Sequence, residues 1–191
     1  SPASSAPPWS LGPADHLDAW IGHRACEWLT RLGASSSPFY LQVSFAGPHP
    51  PWDAPAAFLD LYDPDGPFPV PDFSPPVGPW SAPYTRSAER ISGPPGEAEA
   101  RLGCVKYFAK LTLIDMAIGG VVRALEAAGL AGDTWIVVCG DHGEMLGSHG
   151  LYAKQVFYEP SLRIPLVVVP PGGASSWSSR APVALTAPCS L

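Results

Sequence analysis

Basic residues are scarce in this sequence, and their scarcity argues against one large class of function. Lys and Arg together number 11 in 191 residues, against 17 Asp and Glu, and the formal net charge at pH 7 is −6. Proteins that bind nucleic acid usually present a basic face that pairs with the phosphates. The charge balance therefore argues against nucleic acid as a partner.

The chain also lacks the sequence features of membrane-spanning, zinc-binding and disulfide-framed proteins. No apolar stretch of about 18 residues is free of helix breakers, so no transmembrane helix is predicted. The four cysteines form no C-x-x-C pair, which argues against a zinc site and a disulfide framework. They are Cys26, Cys104, Cys139 and Cys189. Cys139 ends an apolar run and is expected to be buried, while cellular location and oligomeric state stay undetermined.

Proline, by contrast, is abundant and unevenly distributed. The sequence has 25 prolines, and ten of them fall between Pro64 and Pro95. Such a run favours an irregular surface loop, assigned here to residues 64–96, which we expect to wall part of a site entrance. Apolar residues make up 46% of the chain, enough to form a buried core.

The order of apolar patterns predicts an α/β fold with a mostly parallel sheet flanked by helices. Helical spacing of apolar residues predicts helices over 15–32 and 97–128. A short aromatic and β-branched run predicts a strand over 39–45. Two continuous apolar runs, 134–139 and 166–169, are typical of strands buried on both faces of a parallel sheet.

Two candidate metal ligands follow the run that ends at Cys139. In open α/β sheets, ligands gather beyond the carboxyl ends of the strands, where Asp141 and His142 fall. A carboxylate and an imidazole there could bind one divalent cation, with Gly140 and Gly143 letting the backbone turn around it. A strand-end turn in which Asp141 caps the following backbone would give the same short pattern.

The residues that follow decide between these interpretations. The run Asp141-His-Gly-Glu-Met-Leu-Gly-Ser-His149-Gly-Leu-Tyr-Ala-Lys154, with the later segment Tyr158-Glu-Pro-Ser161-Leu-Arg163-Ile-Pro165-Leu, closely resembles the sulfatase family of the alkaline-phosphatase superfamily. Pro48-His49-Pro50, after the predicted strand, resembles that family as well, and the segment 107–133 resembles the helix that its members place before the metal-binding strand. The resemblance runs from about residue 38 to residue 170. It implies an alkaline-phosphatase-like fold and the hydrolysis of sulfate esters.

The resemblance also implies a role for each polar residue of the segment. Asp141 and His142 would bind the metal, Lys154 would contact the sulfate, and His49 would meet the ester near its leaving group. His149 could also face the substrate, although a structural role fits it equally well. These roles match the chemistry, because a cation and a lysine drain charge from sulfuryl oxygens and a histidine protonates the departing alkoxide. The expected substrate is a small sulfated ester or a sulfated carbohydrate.

The nucleophile of the resembled family is not found in the sequence. That family uses Cys/Ser-x-Pro-x-Arg, converted to formylglycine, and no cysteine here has that context; an early Asp-Asp pair is not found either. We therefore expect an internal fragment with a lead-in at 1–13, a partial sulfatase catalytic domain at 14–170 and an irregular tail at 171–191. Formylglycine would lie outside it, and the isolated chain is expected to bind metal weakly and hydrolyse nothing.

Two further functions stay open at this point. Phosphonate monoester or phosphodiester hydrolases and phosphoryl transferases of the same superfamily also place Asp-His at this strand end, and His142 stands where many sulfatases have Asn. Calcium is the metal expected first, but the imidazole of His142 suits softer metals better, so manganese, magnesium and zinc stay open as alternatives. A non-catalytic sulfatase-like binding protein is the other alternative, although the joint presence of Asp141, His142, Lys154 and His49 argues against it.

Overall fold

Two long helices and one pair of short strands form most of the regular structure in the computed structural model. It describes residues 6–66, 71–72, 74, 96–173, 178 and 184. The elements are α1 (Leu17–Gly33), α2 (Ala56–Leu59), α3 (Glu97–Ala127), β1 (Ile136–Cys139), α4 (Glu159–Leu162) and β2 (Leu166–Val169), with 3-10 turns at Pro13–Asp15, Ala131–Asp133 and Ser148–Gly150. Most of the predicted loop at 64–96 and of the tail at 171–191 falls outside the described residues.

The two predicted helices are confirmed as α1 and α3, and small residues let them pack closely. A Cβ atom added to Gly22 would lie 2.9 Å from the Cβ of Ala117, and one added to Gly33 would lie 2.9 Å from that of Ala128. Contacts this short leave no room for a side chain. The glycines of α1 therefore set the distance between the two helix backbones.

The ends of α3 follow from its sequence. Glu97 and Glu99 lie in the first turn, where acidic side chains complement the helix dipole. At the other end Gly129 adopts φ +72°, a conformation that costs other residues more. Its N–H donates to Glu126 O at 2.9 Å, and the N–H of Leu130 donates to Leu125 O at 3.1 Å. This is a Schellman ending, and it confirms the predicted stop at Gly129.

The strand pair β1–β2 differs from the parallel arrangement that the sequence predicted. The strands pair antiparallel, with Ile136 opposite Val169 and Cys139 opposite Leu166. The 26 residues between Cys139 and Leu166 are long enough for the crossover of a parallel pair, but such a crossover is usually a helix that packs on the sheet. Here they hold mainly loop and the four-residue α4. Val137 is 57% exposed and Cys139 is exposed, so the predicted burial of both is wrong in this structure.

The predicted strand over 39–45 does not pair with another strand among the described residues, so this prediction is wrong. Its side chains do alternate between half-buried and exposed positions, as they would on a strand, and Tyr40 is 87% exposed. In the part of the chain that the structure describes, however, no strand pairs with this segment. A strand is assigned from its hydrogen bonds to a neighbouring strand, whereas a period of two shows only that one side of the segment packs against the protein.

A small apolar cluster fixes α2 against α3 and so places the segment that precedes it. Its buried members are Ala54, Phe58, Ala109 and Leu113. The hydroxyl groups of Tyr62 and Thr112 share a hydrogen bond of 2.6 Å beside the cluster. None of the helices described here combines the length and apolarity that crossing a bilayer requires.

Candidate active site

Asp141 and His142 present two donor atoms side by side just after β1. The backbone N–H of His142 donates to Asp141 Oδ1 at 2.9 Å, which turns the carboxylate toward the ring. His142 Nδ1 lies 2.8 Å from the carbonyl oxygen of Gly143, and its Nε2 lies 3.4 Å from Asp141 Oδ2. The Asp141 carboxylate is exposed and the ring of His142 is more than half covered.

This geometry fits a divalent cation. A carbonyl oxygen can only accept, so Nδ1 of His142 carries a proton, and in the neutral form of the ring Nε2 carries a lone pair. Two acceptors then face each other at 3.4 Å, and a proton or a cation between them removes the repulsion. Histidines that bind metals typically donate their other N–H to a carbonyl in this way. Within the described ranges, no group of three His, Cys, Asp or Glu side chains converges here.

Gly143 lets the segment of the candidate metal ligands approach α4 closely. Its N–H donates to Ser161 O at 2.7 Å, and a Cβ at this position would lie 1.9 Å from the carbonyl oxygen of Pro160. No side chain fits into that space. Gly143 therefore serves a close backbone contact, since it is not among the glycines with positive φ.

Ser161 ties Lys154 to the same element. Its hydroxyl donates to the carbonyl oxygen of Lys154 at 2.6 Å, while its own carbonyl accepts from Gly143. Ser161 itself is buried, and its hydroxyl bond to Lys154 is partly buried. One residue thus holds the backbones of the two segments that carry the candidate metal ligands and the candidate sulfate-binding lysine.

The Glu144 side chain bridges two backbone positions of the loop that joins these segments. Its Oε1 accepts hydrogen bonds from the backbone N–H groups of Leu146, at 3.3 Å, and Ala153, at 2.5 Å. Burial raises the pKa of Glu144 above its ordinary value, and the two backbone hydrogen bonds with the charges of Lys154 and His142 oppose the rise without cancelling it. His142 and Lys154 therefore act electrostatically on one carboxylate.

The loop that Glu144 closes holds an unusual backbone. Leu146, His149 and Ala153 all have positive φ, at 49°, 56° and 68°, although none of them is glycine. Each such residue costs about 1 kcal/mol or more and persists only where the surroundings enforce it. Strain of this kind clusters at functional sites, and here it lies between His142 and Lys154.

His149 contacts the Pro-rich segment and an aromatic ring. Its N–H donates to Asp72 O at 2.6 Å, and its Nδ1 lies 3.1 Å from Ser74 O. The ring packs on Tyr158, with centroids 4.5 Å apart. These contacts match the structural alternative for His149, and its contact with a substrate stays a prediction.

His49 lies on a separate segment, in an exposed position between Pro48 and Pro50. Among the described contacts, it makes no hydrogen bond or ion pair with Asp141, His142 or Lys154. Its Nδ1 instead lies 2.8 Å from Pro50 O. The structure therefore joins the candidate metal ligands, Asp141 and His142, to Lys154 through one loop and leaves His49 on another.

A buried aromatic cluster connects the two segments. Trp52 donates from its indole N–H to Pro48 O at 3.0 Å, and its ring meets Tyr107 and Tyr152 edge to face at 5.8 and 5.9 Å. Burial raises the pKa of both tyrosines to about 12, and the charge of Glu144 contributes to both shifts. The His49 segment, through Trp52, and the Glu144 loop, through Tyr152, therefore meet in one aromatic cluster.

Comparisons with known proteins identify the family of the chain. The chain is 29% identical to an arylsulfatase of Clostridium perfringens, over 86% of this chain and 34% of that protein. It is 34% identical to iduronate 2-sulfatase of Homo sapiens, over 87% of this chain and 34% of that protein. The structure of phosphonate monoester hydrolase SpPMH from Silicibacter pomeroyi matches with a TM-score of 0.76 and 28% identity, over 86% of this chain and 35% of that one.

The fold is that of an α/β protein of the alkaline-phosphatase superfamily, incomplete relative to its structural neighbours. The family model named Sulfatase matches residues 2–186, and the chain belongs to that family. It spans about a third of the length of the curated relatives it matches.

Several residues that hold the site together have no chemical signal in the sequence. Ser161 was visible only as part of a family-like segment, and Trp52 and Tyr152 look like ordinary aromatic residues. The short apolar and aromatic runs beside each polar motif could have predicted that these residues are buried. That pattern does not predict which residues they contact.

The close contact at Gly143 predicts a difference between two similar substitutions. Gly143→Ala is expected to lower the free energy of unfolding by about 3 kcal/mol, because its Cβ would overlap the carbonyl oxygen of Pro160. Gly140→Ala is the matched control, since its Cβ would meet Pro165 Cδ at an ordinary 3.5 Å. Urea unfolding of both variants measures the difference. Equal losses in the two variants would contradict the close-contact role.

The raised pKa of Glu144 predicts a pH-dependent stability. The folded chain holds this proton more tightly than the unfolded chain, so the group's contribution is fully present at low pH and declines as pH rises through its folded pKa. Glu144→Gln keeps the accepting oxygen without titrating. The free energy of unfolding of Glu144→Gln should therefore increase relative to that of wild type as pH rises from about 4 to neutrality, measured in a buffer that contains a chelator.

Glu144→Ala provides the matched comparison in the same pH series. This variant removes the acceptor for the N–H groups of Leu146 and Ala153 and should lose about 1–3 kcal/mol at every pH. A constant difference between Glu144→Gln and wild type across the series would show that burial does not raise the pKa of Glu144.

Proposed function

We propose that the protein to which this chain belongs hydrolyses sulfate esters with the help of a divalent metal. The observation that carries the proposal is the donor pair of Asp141 and His142, 3.4 Å apart, on a strained loop whose other end is Lys154. Membership of the Sulfatase family supports the reaction class. Because the chain covers about a third of its relatives, the activity is proposed for the whole protein.

The metal would be held by Asp141 Oδ2 and His142 Nε2, and when bound it would withdraw charge from the sulfuryl oxygens. The Gly143 carbonyl keeps the proton of His142 on Nδ1, which leaves Nε2 free for the ion. Calcium is the metal proposed first, with manganese, magnesium and zinc as alternatives. Formylglycine is the proposed nucleophile and would lie outside these 191 residues.

Lys154 and His49 supply the remaining charges in this proposal. The ammonium group of Lys154 places a compact positive charge near the sulfate oxygens, where negative charge develops. Ser161 fixes its backbone, so little reorganisation is needed when the ester binds. The exposed ring of His49, when protonated, donates a proton to the departing alkoxide oxygen.

The proposed substrate class is a small sulfated ester or a sulfated carbohydrate. Relatives bear the names arylsulfatase and iduronate 2-sulfatase, which share a sulfate ester but differ in the rest of the molecule. The names therefore support a sulfate ester as the reacting group, and they do not favour one particular alcohol part of the substrate. His149, through Asp72 and Ser74, would position part of the Pro-rich segment near the substrate.

One observation favours a second candidate function. The structure of a phosphonate monoester hydrolase superposes with a TM-score of 0.76. Sulfate and phosphonate esters need the same stabilisation of charge on equatorial oxygens, so Asp141, His142 and Lys154 could serve either. The sulfatase relatives in sequence make the sulfate ester the first proposal.

The proposal is tested with the longest form of the protein that the gene encodes. The kcat/KM for an aryl sulfate should exceed the kcat/KM for an aryl phosphonate monoester in buffers with calcium, manganese or magnesium. Lys154→Met should lower kcat/KM for the sulfate by about 10²–10³-fold. Lys106→Met is the matched control, because that lysine donates to Ala6 O at the start of the described chain. Faster phosphonate turnover would favour the second candidate, and no turnover of either would favour a binding protein.

Metal binding is tested on the 191-residue chain itself. Titration with manganese, followed by electron paramagnetic resonance, should show binding with a dissociation constant on the order of 10⁻⁴ M or weaker, because two ligands alone hold the ion. Asp141→Asn and His142→Ala should each abolish it. His23→Ala is the control, since His23 is an exposed histidine of α1 paired with Glu27. Binding that survives both ligand substitutions would place the metal elsewhere.

A further inference from the structure

The segment that carries His49 cannot hold itself together through its own backbone. Pro48, Pro50 and Pro51 have no N–H group, so few donors remain for the carbonyl oxygens of this stretch. Side chains replace the missing donors: the Trp52 indole donates to Pro48 O at 3.0 Å, and His49 Nδ1 lies 2.8 Å from Pro50 O. The carbonyl oxygens of His49 and Pro51 need a donor from outside the segment.

Lys110 of α3 supplies that donor. Its Nζ lies 2.9 Å from Pro51 O, 3.4 Å from His49 O and 3.0 Å from Asp53 Oδ1. An ammonium group has three N–H bonds, and here it meets three oxygen atoms. The side chain of Lys110 is only 7% exposed, which is unusual for a lysine unless its charge is paired.

Asp53 pairs that charge. Burial alone would raise the pKa of Asp53. The hydrogen bond and the charge of Lys110, with weaker contributions from a backbone hydrogen bond and from His16, bring the pKa below its ordinary value. The carboxylate is therefore charged at neutral pH and compensates the buried ammonium. His16 Nε2 lies 3.5 Å from the same oxygen atom and closes this side of the cluster.

The start of the segment is held from α1. Asp18, which is buried, accepts a hydrogen bond from the N–H of Gly47 at 2.9 Å. A Cβ on Gly47 would lie 2.6 Å from Asp18 Oδ2 and 2.8 Å from Lys110 Cε, so only glycine fits between the two helices. Both sides of His49 are therefore fixed by buried charged groups, while the residue itself is exposed.

We propose that Lys110 is a positioning residue for His49. Its ammonium group holds the carbonyl oxygens of His49 and Pro51, and this fixes the backbone from which the imidazole ring projects. The catalytic consequence rests on the proposed function, in which His49 donates a proton to the leaving group. The positioning itself is independent of that role and can be measured on the 191-residue chain without a substrate.

The test compares backbone order in Lys110→Met and wild type by nuclear magnetic resonance. In wild type, the amides of Gly47, His49 and Asp53 should show order parameters near 0.85, as rigid backbone does. In Lys110→Met these values should fall below about 0.6 at His49, while α1 and α3 keep theirs. Lys106→Met is the matched control on the same helix, one turn away, and should leave His49 unchanged.

Two outcomes would overturn the proposal. Unchanged order at His49 in a folded Lys110→Met chain would do so, and so would an equal loss of order throughout the molecule, which indicates a general structural role. If Lys110→Met does not fold, the wild-type ammonium signals decide. The sequence has three lysines, and coupling to the Pro51 carbonyl carbon identifies the signal of Lys110 among them. This ammonium signal should exchange slowly, and a rapidly exchanging signal would contradict the proposal.

Failure of the proposed function would leave these results intact. Lack of turnover in the longer protein says nothing about order at His49. Conversely, a sulfatase whose turnover depends on Lys154 but whose His49 segment stays rigid in Lys110→Met would keep the proposed function and remove only the positioning role. The two proposals therefore fail independently.

Discussion

Two hydrogen bonds to Ser161 set the relation between the candidate metal ligands and Lys154. Gly143 donates to its carbonyl and Lys154 accepts from its hydroxyl, so α4 holds both ends of the loop between them. The Glu144 carboxylate accepts two backbone hydrogen bonds inside the same loop, in which three residues have left-handed conformations. The chain places charged groups by fixing backbone atoms with buried neighbours, and the exposed ends of the side chains stay available.

The same principle governs the His49 segment, with different chemistry. Prolines remove its donors, and Lys110 and Trp52 replace them from buried positions. Three aromatic rings then join this segment to the Glu144 loop. Each part of the candidate site is thus a short exposed segment whose backbone is bonded to a buried polar group, an arrangement that combines access for a ligand with limited motion.

Much of this could be predicted from local sequence patterns. The period of α1 and α3, the glycine that ends α3 and the position of Asp141 after a strand depend on neighbours within a few residues. The antiparallel pairing, the exposure of Cys139 and the unpaired segment at 39–45 depend on what lies beside them in space. Ser161 and Lys110 were missed for the same reason, because their partners lie 7 to 61 residues away.

The strand pair has a consequence for handling the isolated chain. In the described part of the structure the sheet has two strands, so each of them has an outer edge whose N–H and C=O groups are not part of the ladder. The run Leu166–Val169 is uncharged, and Val167 is 53% exposed. An uncharged, β-branched edge recruits strands from other molecules. Self-association through β2 would then limit the concentration at which this chain stays monomeric, independently of any chemistry at the site.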